Sequence, residues 1–229
     1  MARFGFWASL GTAGTTLVAF CLAIGTPPVS GPFCRANCIE YPFAEIAARF
    51  PRDYVWMVPA MASASFFLAS MVGLYGRAPA ARRPIAAFSV VLASMATFAL
   101  VGDYFVQLTV VQPSVLAGEI DGIALLSQYN PHGLFIAFEE LGYLLMAASL
   151  ACMAPAMRRE ALLERVARAL FVGAFVLDVV VFAWIAWRFG HAREYRFEVA
   201  VIAIDWIALI VGSSLLAAVL RRDHATANV

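Results

Sequence analysis

Five carboxylic acids lie in stretches of sequence that are otherwise apolar enough to enter a lipid bilayer. They are Asp103, Glu139, Glu140, Asp178 and Asp205, and Glu198 stands near the start of the last apolar stretch. An ionisable side chain at mid-membrane costs about 2.5–3.5 kcal/mol on insertion scales, so five would cost on the order of 10–15 kcal/mol if nothing compensated them. Whole proteins are stable by only about 5–15 kcal/mol. We therefore expect these acids to be protonated, to hold a cation or to line water.

Helical spacing groups further polar side chains with these acids, because residues three, four or seven apart share a helix face. Gln107 follows Asp103 by four residues, His132 precedes Glu139 by seven, Tyr143 follows Glu139 by four, and Glu198 precedes Asp205 by seven. Adjacent residues of a helix point about 100° apart. The spacing therefore favours Glu139 for a common pocket and leaves Glu140 free to contact a neighbouring helix.

This pattern predicts an acidic pocket, built by the last four apolar stretches in the outer half of the bilayer. A protonated carboxylic acid can serve there as a general acid and a second carboxylate as a base. The candidates for these roles are Glu139, Asp103, Asp178 and Asp205. The candidates for the pocket wall are Glu140, Gln107, His132, Tyr143, Trp206 and Glu198, of which Trp206 would offer an aromatic face to cationic character. The structural alternative is that the acids are protonated groups joining neighbouring helices, and that Trp206 is core packing.

The composition identifies the class of protein. The chain has 229 residues, of which 63% are hydrophobic and 14% charged, and its mean hydropathy is +0.82. A soluble domain is about half apolar and a quarter charged, so this chain is predicted to be a membrane protein. The 16 Arg and 15 acidic residues nearly balance, which gives no electrostatic case for binding nucleic acid.

Six apolar stretches are long enough to span a bilayer, which takes about 20 residues of helix. They cover roughly residues 6–24, 54–75, 85–111, 132–157, 169–187 and 197–220, and predict an all-α bundle of six transmembrane helices in a single domain, 1–229. Ten of the 16 Arg residues fall on one side of these spans and six on the other. The side richer in Arg is normally cytoplasmic, so both termini are predicted to be cytoplasmic. A cleaved signal peptide is the alternative for the first stretch, but no clear small-x-small cleavage site follows Ile24.

Two loops on the outer side carry features of their own. In the loop 25–53, the segment FCRANC places Cys34 and Cys38 where an oxidising compartment favours a disulfide. Two free thiols are the main alternative, and a metal site has less support because no His and no second Cys pair lie nearby. The loop also predicts a short helix over 43–50, either on the membrane surface or packed in the loop. The loop 112–131 is long and apolar in its middle, which is typical of a lid or of structural packing.

No motif predicts a cofactor or a metal. The chain has no Ser-His-Asp set, no HExxH and no phosphate-binding glycine loop, and one His in the region of the acids does not make a zinc or haem centre. Three functions stay open. They are a pocket that binds, or isomerises or cyclises, a lipid-soluble molecule; a proton- or cation-coupled transporter; and an accessory subunit. The predicted partners are a membrane lipid or lipid-soluble molecule, a second copy or another membrane subunit. A cell membrane, bacterial inner membrane by preference, is the predicted location.

Overall fold

The structure, a computed structural model, describes residues 2–26, 28–158 and 161–226, with the side chains at 2 and 222–226 left aside. These residues form helices joined by loops, and none of them lies in a strand. The α-helices are α1 (Ala2–Ile24), α2 (Met57–Tyr75), α3 (Arg83–Val106), α4 (Gln112–Leu116), α5 (Ile123–Leu126), α6 (Leu134–Met153), α7 (Leu162–Phe189) and α8 (Tyr195–Thr226). Six helical segments are long and apolar enough to cross a membrane. The predicted all-α class with six such segments is confirmed.

Five of the long helices form a closed ring, and the sixth lies outside it. Around the ring, α1 contacts α2, α2 contacts α3, α3 contacts α6, α6 contacts α8 and α8 returns to α1. Helix α7 packs mainly against α6 and α8. Accordingly 22% of the most apolar window of α7 is buried, compared with 56% of that of α6. The outward face of α7 is a row of aliphatic side chains, including Val172, Val176 and Val180, as expected of a helix that faces lipid.

Small residues hold α1 and α2 close together. The hydroxyl groups of Thr12 and Ser70 lie 3.2 Å apart, and those of Thr16 and Ser63 lie 2.5 Å apart. One turn from the start of α1, Gly5 faces Gly73 so closely that a Cβ atom on Gly73 would lie 2.7 Å from the Gly5 Cα. Small residues at these positions allow the two helix backbones to approach this closely.

Several helices extend beyond their predicted ends, and two of these extensions have a clear physical reason. The third span continues past residue 111, because a π-helical turn over Gln107–Val111 leads directly into α4. Pro113 lies in the first turn of α4, where proline is tolerated. Helix α7 begins at Leu162, seven residues before the predicted 169. Its first turn contains Glu164, which is buried and forms an ion pair of 3.5 Å with Arg77. Charged groups at a helix start can thus be buried when a partner lies opposite.

The two outer loops lie at one end of the ring, which we call the disulfide end because Cys34 and Cys38 are bonded there. The predicted helix over 43–50 is a 3-10 helix, Ala44–Arg49, whose Ile46 side chain is fully buried. It therefore packs within the loop. In the loop 112–131, α5 buries Ile123 and Ala124. Arg159 and the side chain of Arg222, two of the ten Arg residues on the other side, lie outside the described part of the chain, as does Pro27 in the first outer loop.

Candidate functional site

A cavity of about 410 Å³ opens at the disulfide end, between α1, the first outer loop and α8. Its wall is mostly apolar and aromatic, and includes Phe20, Phe33, Trp56, Tyr129, Tyr195 and Trp206. Two carboxylic acids reach it, Asp53 from the first outer loop and Glu198 from the first turn of α8. Its volume lies within the range of about 300–1,000 Å³ that is typical of sites for small molecules.

Glu198 connects this cavity with the acids that the sequence singled out. Its carboxyl group lies within interaction range of the carboxyl group of Glu139. Glu139 is fully buried on α6, and its Oε2 has no hydrogen-bond donor among the described residues. Two carboxylates at this range repel each other, so the pair is most stable when it shares one proton or binds a cation. Glu139 itself does not line the cavity.

A chain of hydrogen bonds holds Glu139 from the other side. The Tyr104 hydroxyl donates to Glu139 Oε1 at 2.5 Å and lies 3.0 Å from the Tyr143 hydroxyl. The Trp206 indole N–H donates to the Tyr143 hydroxyl at 2.7 Å. Four side chains of α3, α6 and α8 are thereby fixed relative to one another. Tyr143 lies beside Glu139, as the spacing predicts, and Trp206 both closes this chain and forms a wall of the cavity.

Glu140 points away from Glu139 to a different partner. Its Oε2 lies 2.8 Å from an Arg193 guanidinium nitrogen, in the turn between α7 and α8. The Glu140 side chain is 7% exposed and that of Arg193 36%. The prediction that Glu140 serves a neighbouring contact agrees with this geometry, although the cation comes from the turn. Arg188, nearer in sequence to the fifth predicted span, instead stacks on Phe189.

The remaining predicted acids fall into two places. Asp103 on α3 is nearly buried and lies within electrostatic range of Glu139 and Glu198. Asp178 and Asp205 face each other between α7 and α8, both fully buried. None of their four carboxyl oxygens accepts a hydrogen bond from the described residues. This second pair borders neither the cavity nor Glu198 directly, and Tyr143 is the group that lies near both Glu139 and Asp205.

Polar groups of the loops close the cavity at its outer rim. Asp53 is buried and accepts hydrogen bonds from Arg52 Nε at 2.6 Å and from the Tyr129 hydroxyl at 3.0 Å. Burial raises the pKa of the Tyr129 phenol above its ordinary value, and the nearby Tyr54 and Asp53 raise it further. The phenol therefore stays protonated and remains a donor to Asp53 at every physiological pH. This rim joins the first outer loop to the segment between α5 and α6.

Tyr195 at the start of α8 joins the same rim. Its hydroxyl lies 2.8 Å from that of Ser30 and donates to the Gln128 carbonyl oxygen at 3.2 Å. Behind it, Gly31 has a backbone φ of +64° and packs on the Tyr195 ring. The first outer loop is thus anchored on α8, directly above Glu198.

Gln107 serves the loop and not the acids. Its side-chain Nε2 donates to the Leu126 carbonyl oxygen at 2.6 Å, and its Oε1 accepts from the Gln128 N–H at 3.1 Å. Because Gln107 is fully buried, it fixes the segment after α5 that forms part of the cavity rim. His132, the other polar side chain predicted for the pocket, is exposed beyond the start of α6.

We expect the substitution Gln107→Leu to loosen the segment 123–130 without unfolding the bundle. It leaves two backbone groups without partners, each at a cost of about 1–3 kcal/mol when buried. Hydrogen exchange followed by mass spectrometry should then show amides of this segment exchanging roughly tenfold faster or more, since 1.4 kcal/mol corresponds to a factor of ten. Thr109→Val is the matched control, because the Thr109 hydroxyl bonds only its own helix. Equal protection in the two variants would contradict this role.

Several residues of the site carry no signal in the sequence. Asp53 sits in a loop beside Arg52 and resembles any solvated pair, and Ser30 and Tyr195 are too far apart to be linked by spacing. Tyr104 had a usable signal, because it follows Asp103 directly and precedes Gln107 by three residues. Comparison with protein-family models, with curated proteins and with solved structures finds no match to this chain.

Proposed function

We propose that this chain is a multi-pass membrane protein with both termini in the cytoplasm and the disulfide end outside. Six long apolar helices support the first part, and the excess of Arg at the opposite end supports the second. A fluorescent protein fused to the C-terminus should then be bright in intact cells, and alkaline phosphatase fused there should be inactive.

We further propose that the protein binds a lipid-soluble small molecule in the cavity at the disulfide end. The observation that carries this proposal is the combination of a 410 Å³ space, an apolar and aromatic wall, and the carboxyl group of Glu198, which reaches the cavity. Sites for small molecules typically pair such walls with a few placed polar groups. The hydrogen bonds of Tyr104, Tyr143 and Trp206 hold this wall in shape before any ligand arrives.

The same geometry assigns roles if the bound molecule is also isomerised or cyclised. Glu198 touches the cavity, so it is the group that would give a proton to the ligand. In the doubly protonated pair, Glu198 would give its proton to the ligand. Glu139 would keep its own proton and donate it as a hydrogen bond to the Glu198 carboxylate, while Tyr104 donates to Glu139 Oε1 at 2.5 Å. The arrangement is that of two acids whose surroundings differ, which is the usual basis of acid–base catalysis by carboxyl groups.

The experiment is mass spectrometry of organic extracts from purified protein, together with titration of the dye Nile red. Wild-type protein should carry a hydrophobic molecule at near-stoichiometric level and bind Nile red saturably. The variant Ala203→Phe should lose both, because Ala203 lines the cavity and a phenyl ring would fill it.

Ala137→Phe is the control, since Ala137 is exposed on α6, away from the cavity lining. It should retain the extracted molecule and the dye binding of the wild type. A wild type with no extracted molecule, and with dye binding unaffected by Ala203→Phe, would overturn the proposed function.

A further inference from the structure

The charges around the cavity are of one sign. The described residues that line it include two acids, Asp53 and Glu198, and no Arg, Lys or His. Asp53 is already paired with Arg52 at 2.6 Å. Glu198 forms no ion pair with any of the described residues, and the charged groups that face it are Glu139, Glu140 and Asp103. The ion pair of Arg193 is with Glu140, at 2.8 Å. The wall at Glu198 is therefore negative, or becomes so when its shared proton leaves.

The hydrogen-bond donors of the wall are mostly occupied. The Trp206 N–H donates to the Tyr143 hydroxyl, and the Trp56 N–H donates to the Asp53 carbonyl oxygen at 2.9 Å. The Tyr195 hydroxyl donates to the Gln128 carbonyl oxygen. One side-chain donor is left among the described lining residues, Gln128 Nε2, and it lies beside the Tyr54 hydroxyl. The cavity thus offers acceptors to a ligand and few donors, which disfavours an anionic head group.

Aromatic rings surround the same space. Trp206 contacts Trp56 with ring centroids 6.2 Å apart and Phe20 with centroids 5.9 Å apart. Since their N–H groups are engaged elsewhere, the two indoles offer ring surface to the cavity. Aromatic faces attract cations, tryptophan most strongly, and this attraction grows where water is excluded. Recognition of organic ammonium groups by proteins commonly combines such rings with a carboxylate.

We propose that the ligand of this cavity is a lipophilic organic cation, an amine or a quaternary ammonium compound. Its charged head lies against Glu198, and its apolar body lies among Phe20, Trp56 and Trp206. This inference rests on the proposed function and adds the chemical class of the ligand. Binding of the cation displaces the proton that Glu139 and Glu198 share, or takes the place of the cation that the pair would otherwise need.

The test compares three ligands that differ only in the head group. Protein in a nonionic maltoside detergent is titrated at pH 7 with 4-phenylbutylamine, 4-phenylbutanol and 4-phenylbutanoate, and the series is repeated with decylamine, decanol and decanoate. Fluorescence of the cavity tryptophans reports binding. In each series we expect the amine to bind at least tenfold more tightly than the alcohol, and the carboxylate to bind most weakly.

Variants assign the preference to one side chain. Glu198→Gln should remove most of the preference for the amine while leaving binding of the alcohol within a factor of about two. Glu198→Asp should keep the preference, and Glu119→Gln, at an exposed position of the loop 112–131, should not change it. Elution as a single symmetric peak in gel filtration verifies that each variant is folded.

The outcomes separate this inference from the function on which it rests. Equal binding of amine and alcohol, or an unchanged preference in Glu198→Gln, would overturn the cationic class and leave a neutral lipid-soluble ligand. Absence of saturable binding in both series would overturn the two proposals together.

Discussion

Replacing Gly73 with valine is expected to lower the midpoint of thermal unfolding by about 5–10 °C and to abolish the proposed ligand binding in the cavity. A Cβ at this position would lie 2.7 Å from the Gly5 Cα and 3.3 Å from its backbone nitrogen. Backbone atoms cannot move aside as a side chain can, so α1 and α2 must separate. Overpacking costs about 1–3 kcal/mol and sometimes more, and each kcal/mol shifts the midpoint by roughly 2–4 °C in a protein of this size.

The effect on binding follows from the position of α1 in the ring. Its last two turns supply Phe20, Ala23 and Ile24 to the cavity wall, and its hydroxyl contacts with α2 require the helices to be close. Separation of α1 from α2 at the Gly5–Gly73 contact therefore changes the angle at which α1 reaches the cavity. The unfolding midpoint is measured by tryptophan fluorescence in detergent, and binding by the same ligand titrations.

Gly102→Val is the matched control. Gly102 is also a helical glycine within a predicted span, but a Cβ there would have nothing within 4 Å. Both variants place a β-branched residue in a helix, so both lose the same intrinsic helix propensity. The difference between their unfolding midpoints therefore measures the effect of the helix–helix contact. Similar midpoints for the two variants would contradict the close approach of α1 and α2.

The six long helices were predictable because each contains an apolar stretch of about the length that crosses a bilayer core, with few charges in it. Their ends were less so. The third span was predicted to end before Pro113, but a π-helical turn continues the helix past this residue. Glu164 lies before the predicted start of the fifth span at residue 169, but its ion pair with Arg77 allows it to be buried in the first turn of α7. Hydropathy predicts which segments can enter a bilayer, but it does not predict which charged side chains form ion pairs with residues of other helices.

The site was predictable only along single helices. The spacing of Glu139 and Tyr143 on α6 correctly placed them together, and Tyr104 joins them from α3 through contacts that only the fold creates. Spacing also grouped Gln107 with Asp103, but the amide turns to the loop backbone. The cavity is bounded in part by α1 and the first outer loop, which carry no unusual polar pattern. Glu198 was a minor candidate in the sequence and is one of the two acids that line the cavity, with Asp53.

The second large effect is expected from Arg193→Ala. This change leaves the Glu140 carboxylate, which is 7% exposed, without its cation at 2.8 Å. Breaking a buried ion pair costs about 3–5 kcal/mol. Arg193 is about one-third exposed, and the freed carboxyl can take up a proton, so we expect roughly 2 kcal/mol, or a midpoint lower by about 4–8 °C.

Arg196→Ala is the matched control for the loss of a guanidinium in this region. Arg196 also has an ion pair, 3.4 Å from Glu194, and it also lies over an aromatic ring, that of Phe189. The two arginines differ in the burial of the carboxylate that each neutralises, since the Glu194 side chain is 27% exposed. Ion pairs in contact with solvent contribute about 0–1 kcal/mol, so the Arg196→Ala midpoint should fall by no more than about 3 °C.

A double variant identifies the cause of the destabilisation. If Arg193→Ala acts by leaving a buried charge unpaired, then Arg193→Ala combined with Glu140→Gln should be more stable than Arg193→Ala alone, because the amide carries no charge to be neutralised. If the effect came from the contact of Arg193 with the Phe182 ring at 5.4 Å, the second substitution would restore nothing. Restoration would also explain why Glu140 and Glu139 are adjacent yet different in role. Glu140 holds the turn before α8 to α6 through Arg193, and this contact fixes Glu198 opposite Glu139.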